Sequence, residues 1–171
     1  MNATYVHLLV NHLPLFGALF GTLALVWGLL KHNAGLKTAG LIFLIAASLG
    51  GWMAHISGEQ AEHFVEELPT VSRRTVHEHE EAAETTHLFV VPLGVLAILA
   101  LYLDKKGSRW TPLTLWTVAA LGTATCITAG IAAETGGHII HTEVHGSEVS
   151  DGEHDHEDSE HDRENGDSHE A

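Results

Sequence analysis

The feature that most constrains this chain is a set of four stretches, 1–30, 38–58, 85–103 and 110–133, that contain no Asp, Glu, Lys or Arg. About 20 apolar residues at 1.5 Å per residue cross the roughly 30 Å hydrocarbon core of a bilayer, and the shortest stretch is just long enough. A chain of 171 residues cannot wrap four such helices in polar structure. The pattern predicts an all-α polytopic membrane protein, a four-transmembrane-helix bundle with helices at about 8–30, 38–57, 80–103 and 111–141.

Orientation follows from the basic residues. Lys31 and Lys37 lie between the first two helices, and Lys105, Lys106 and Arg109 between the last two, so five of eight basic residues fall in two short loops. Such loops face the cytoplasm. Of the 22 acidic residues only Asp104 is on that side. Both termini and the loop at 58–79 are therefore expected outside. The N-terminal MNATYVHLLVNHLP has no basic n-region and no cleavage site directly following, so it reads as part of helix one, not as a signal peptide. In the middle segment a short interfacial helix is expected before Pro69, then an outward extension of helix three. Residues 144–171 hold 11 acids against one Arg, giving −10 of the total −14, and read as a disordered acidic His-rich tail.

This charge excludes nucleic acid as a partner, since phosphate affinity needs Lys and Arg. The single Cys126 excludes a disulfide scaffold or thiolate cluster, and is read as a packing residue. No Gly-rich phosphate loop or Ser/His/Asp arrangement supports a soluble-type catalytic mechanism. Trp27, Trp52, Trp110 and Trp116 read as interfacial anchors, and Pro14 as the start of helix one with Asn11 capping it. Pro92 is expected to kink helix three.

Histidine is the unusual residue. Fourteen of fifteen lie at or beyond the outer face, and only His32 is in a cytoplasmic loop. Helical rise places His12, His55 and His87 about 27, 26 and 24 Å from the cytoplasmic ends, nearly one depth. His7, His79, His138 and His141 form a tier beyond. On helix four, Gly122, Cys126, Gly130, Glu134 and His138 recur every four residues, with His141 three further. If that face packs inward, it aims Glu134, His138 and His141 at the bundle axis. Ionisable groups near a membrane are costly unless paired, liganded or wet. A cofactor-binding set of His12, His55, His87, His138 and His141, with Glu134 behind it, is expected. Further metal donors are His7, His77 and His79, and in the tail His145, His154, His156 and His161.

Imidazole suits Zn, Cu, Ni and Fe, and facing histidines in a four-helix bundle suit haem b. The absence of Cys-x-x-Cys-His excludes covalent c-type haem. The leading expectation is haem or transition-metal binding for membrane electron transfer or redox sensing. Alternatives are metal-ion handling through the tail, and a structural subunit of a respiratory or other membrane complex.

NHLPLFGALFGTLAL, the Gly-Trp of ASLGGWMAHISG, the RRTVHEHEEA run and TGGHIIHTEV together resemble an uncharacterised family of small four-helix bacterial membrane proteins, over about residues 5–145. The resemblance implies placement in the bacterial cytoplasmic membrane and association with haem or metal. It carries ligand positions to His12, to His77 or His79, and to His141, with Gly136 and Gly137 as paired glycines. The chain departs from that pattern in Asn11-His12-Leu13-Pro14, in His7, His55, His87 and His138, and in its tail.

Overall fold

The computed structural model describes residues 7, 9–65 and 73–140, and side chains within these except at 59–65 and 139–140. The chain divides after Ile140, and the expectations for the tail lie outside the described residues.

Four helices follow in order: α1 Leu13–Leu30, α2 Ala34–Val65, α3 Arg73–Lys105 and α4 Thr111–Ile140. Each is long and apolar enough to cross a membrane. Each packs on its two neighbours, α1 on α2, α2 on α3, α3 on α4 and α4 on α1, which closes a four-helix ring. The pairing is antiparallel, because Gly17 meets Ala47, Gly21 meets Leu44 and Gly28 meets Lys37.

Small residues let these helices close. A Cβ added to Gly40 would lie 2.6 Å from the Leu25 backbone nitrogen and 2.8 Å from the Gly21 oxygen, so α1 and α2 touch backbone to backbone. Gly122 likewise abuts Thr22 across α4 and α1. Gly130 differs from the expected stripe: nothing approaches the position its Cβ would take.

The helix bounds depart from the sequence reading in two places. α2 runs through Gly58 to Val65 without a break, so the separate interfacial helix expected before Pro69 is absent at these residues and the connection narrows to 66–72. Glu59, Gln60, Ala61 and Glu62 are tolerated by a helix, and Gly58 alone costs only about 1 kcal/mol relative to Ala. At the start of α1, His12 occupies the N-cap position without a side-chain cap bond and Pro14 sits in the first turn. Asn11 is therefore not the cap, and its Oδ1 finds no partner among the described residues. α3 extends outward from the charge-free stretch as expected and continues through Pro92.

The two short connections lie at one end, here the basic end. Asn33 caps α2, its Oδ1 accepting from the Leu36 N–H at 3.0 Å. His32, at φ +52°, and Gly107, at φ +62°, make the left-handed turns that end α1 and α3. Lys37 reaches Asp104 at 3.0 Å, pairing the one acid at this end and tying α2 to α3. Lys31 lies over Trp27, Arg109 over Trp110 and Lys106 over Tyr102, each within 6 Å.

The core of large side chains, Leu25, Leu41, Leu44, Leu93, Leu115 and Val118, fills the half nearer the basic end. Toward the other end, small and polar residues take over the interior, among them Ser57, Thr86, Thr125 and Ala129. The leucines hold the ring together at one end and leave the opposite end to the histidines.

Candidate functional site

At the histidine end, two imidazoles from different hairpins converge. His7, in the helical turn before α1, and His79, on α3, have ring centres 6.5 Å apart with planes at 81°. Each is seated on the second helix of its own hairpin, and the two seats are alike. His7 Nδ1 lies 3.0 Å from the Ala54 carbonyl oxygen and 3.4 Å from Ser57 Oγ. His79 Nδ1 lies 3.0 Å from the Ala132 carbonyl oxygen and 3.3 Å from Thr135 Oγ1. The hydroxyl in both cases also donates to the carbonyl three residues back, Ser57 to Ala54 and Thr135 to Ala132.

One residue further along, glycine makes room for the ring. A Cβ at Gly58 would lie 3.2 Å from His7 Cε1, and one at Gly136 would lie 3.0 Å from His79 Cε1. The seats are thus Ala54-x-x-Ser57-Gly58 and Ala132-x-x-Thr135-Gly136. A carbonyl oxygen only accepts, so Nδ1 carries the proton in both rings and Nε2 keeps its lone pair in the neutral form. Fixing one ring nitrogen on a backbone carbonyl so that the other can ligate is the usual outer support of a metal-bound histidine.

His79 lies six residues beyond the charge-free stretch of α3, outside the part that would lie in a bilayer core. Burial lowers its pKa from the ordinary 6.5, more than the Ala132 hydrogen bond raises it, and the nearby His7 lowers it further. A depressed folded-state value means that the stability contributed is present above pH 6.5, where both states are neutral. It declines as pH falls from there through the folded value, because the unfolded chain takes up the proton first. The thermal unfolding temperature of the wild type should therefore drop across that interval more than that of His79→Gln, which has no imidazole to protonate. Parallel pH curves for the two proteins in detergent would contradict this.

A second pair sits toward the basic end of the first. His55 on α2 and His87 on α3 stack with ring centres 4.1 Å apart and planes at 27°. The shared depth expected for His12, His55 and His87 holds for the last two, which meet. His12 is exposed and stacks on Phe16 instead.

The helix-four face turns out differently from the sequence reading. Glu134 and His138 are exposed, whereas Thr125, Ala129, Ala132 and Gly136 face the interior. A step of four residues advances about 400° around a helix, so a row of such steps drifts by about 40° each time and leaves the axis within three of them. A seven-residue repeat, Gly122, Ala129 and Gly136, keeps nearly constant direction. His77 is exposed on α3, 3.5 Å from Glu80 and 3.4 Å from Glu81. His141, His145, His154, His156 and His161 lie outside the described residues.

The sequence reading placed His7 and His79 in a secondary tier, and missed both seats as a repeat. The signal was there, since Ala-x-x-Ser/Thr-Gly occurs once in α2 and once in α4. Among the described residues no three His, Cys, Asp or Glu side chains gather in a way that could hold a metal ion alone. No family model, no curated protein and no solved structure matches the chain.

Proposed function

We propose that the protein is a four-helix component of the bacterial cytoplasmic membrane that binds haem b between His7 and His79, for electron transfer or redox sensing. The observation that carries this is the matched pair of seats. His7 and His79, with ring centres 6.5 Å apart, are the residues that would hold the iron between them. A porphyrin supplies four ligands itself, so two protein donors suffice, whereas structural zinc needs four. Bound there, haem would supply a one-electron couple. The protein's share is to present two neutral imidazoles, to fix their tautomer through Ala54 and Ala132, and to keep the rings rigid against Gly58 and Gly136.

The large side chains exposed around the bundle, such as Phe20, Leu23, Ile42, Leu88, Val95 and Ile127, support placement in a bilayer. The cation and aromatic pairs at the basic end support a cytoplasmic interface there. With that orientation, His7 and His79 lie at the periplasmic side. A Cys introduced at Ser147 should react with a membrane-impermeant thiol reagent in intact cells, and one at Ser108 should not. Labelling in the reverse pattern would place the histidine end in the cytoplasm.

An absorption spectrum and elemental analysis of protein purified from haem-supplied cells test the ligand. A Soret band with iron at one per chain is expected. Stoichiometric Zn, Cu or Ni without that band would replace haem by a bare metal, and neither would leave a structural subunit.

A further inference from the structure

The end opposite the histidines carries unbalanced positive charge. Asp104, the one acid there, is bound by Lys37 at 3.0 Å, with both side chains about four-fifths buried. It therefore offsets none of the cations outside that pair. Lys31, Lys105, Lys106 and Arg109 are exposed, and none of them forms an ion pair among the described residues.

Three of these cations rest on aromatic rings. The Lys31 ammonium lies 5.4 Å from the centre of the Trp27 ring, that of Lys106 5.8 Å from Tyr102, and the Arg109 guanidinium 5.3 Å from Trp110. Each ring is more than half exposed, on the outer wall of the bundle. A lysine near a membrane helix end ordinarily stretches away from the bilayer to reach water. Lys31 and Lys106 instead fold back over a ring one turn deeper, which draws the charge toward the bilayer. The arrangement is built twice with the same spacing, in Trp27-x-x-x-Lys31-His32-Asn33 and Tyr102-x-x-x-Lys106-Gly107-Ser108. In both, the residue after the lysine has a positive φ, and the next turns its side-chain oxygen to an N–H near the start of the following helix.

Interfacial Trp and Tyr sit at the level of the lipid headgroups, so cations resting on them lie among the phosphates. A phosphodiester with no second charge matches such a place, which offers cations and no acid. A zwitterionic headgroup would also bring an ammonium or choline, for which there is no carboxylate and where the rings that attract such groups already carry a cation. We propose that the basic end binds anionic phospholipid in preference to zwitterionic lipid, the phosphate held by Lys106 and Arg109 at the α3–α4 turn and by Lys31 at the α1–α2 turn. The proposal rests on the membrane placement above and is independent of haem.

A lipid brominated on its acyl chains near the headgroup quenches an indole that it touches. Full-length protein with Trp27, Trp52 and Trp116 changed to Phe keeps Trp110 as its only indole. In phosphatidylcholine nanodiscs containing a small, equal share of either brominated phosphatidylglycerol or brominated phosphatidylcholine, the former should quench Trp110 more strongly. Lys106→Gln or Arg109→Gln should each lower that preference about fivefold, the value of one cation at an anionic lipid surface. The double change should bring the two lipids level, and its unaltered quenching by brominated phosphatidylcholine would report that the bundle still sits in the bilayer. Arg74→Gln, at the histidine end, should keep the full preference, and inorganic phosphate in the buffer should not displace the lipid. Equal quenching in the parent protein, a preference that survives the double change, its loss in Arg74→Gln, or displacement by inorganic phosphate would overturn the proposal. Quenching by neither lipid would refute the membrane placement itself, whereas equal quenching by both would leave that placement standing and remove the lipid preference alone.

Discussion

His79→Ala is expected to strip the protein of haem, lowering affinity by more than 100-fold, with His7→Ala doing the same. Removing a group that merely orients a ligand costs 10 to 100-fold in such sites, and here the ligand itself would go. Each ring is held by a carbonyl at 3.0 Å and backed by a glycine, so no neighbouring described imidazole can swing in: His55 and His87 are engaged with each other. His12→Ala and His138→Ala, at exposed positions, should retain full occupancy. The measurement is the Soret absorbance per chain of protein purified from haem-supplied membranes. Equal occupancy in all four variants would remove His7 and His79 from the site.

Gly40→Val should do the greatest damage to the fold. Its Cβ would lie within 2.8 Å of backbone atoms of Leu25 and Gly21, which cannot rotate away as a side chain can. The α1 and α2 helices would have to part, which opens the leucine core at the basic end. Overpacking of a close-packed interior costs about 1–3 kcal/mol, and backbone contact puts this case at about 3 kcal/mol or more. Gly130→Ala provides the contrast, because open space surrounds its would-be Cβ and a helical Gly→Ala change gains up to about 1 kcal/mol. Thermal unfolding in detergent followed by far-ultraviolet dichroism should show the first variant well below the wild type and the second at or above it. A Gly40→Val protein as stable as the wild type would mean that α1 and α2 do not approach as described.

The four helices were legible because charge was absent from four long stretches and concentrated between them; nothing else in a chain of this length accommodates that pattern. The close approach of α1 and α2 rests on Gly17 against Ala47 and Gly21 against Leu44. The site was harder to read. Depth is a one-dimensional coordinate that sequence spacing supplies well, and it brought His55 and His87 together. Azimuth accumulates error, so a four-residue row on α4 pointed Glu134 and His138 inward when the helix turns them outward. His12, counted to the same depth from the sequence, is exposed and stacks on Phe16 instead. The seats of His7 and His79 depend on a backbone carbonyl and on a glycine that leaves space, and neither announces itself as a ligand does.

Haem held by His7 and His79 would put two imidazoles on one iron. The most direct measurement is low-temperature electron paramagnetic resonance of the ferric protein purified from haem-supplied membranes. If His7 and His79 together hold the iron, a low-spin signal is expected in the wild type, converted to high spin or lost in His7→Ala and His79→Ala. A high-spin signal in the wild type, or a low-spin signal unaltered by both substitutions, would contradict the assignment.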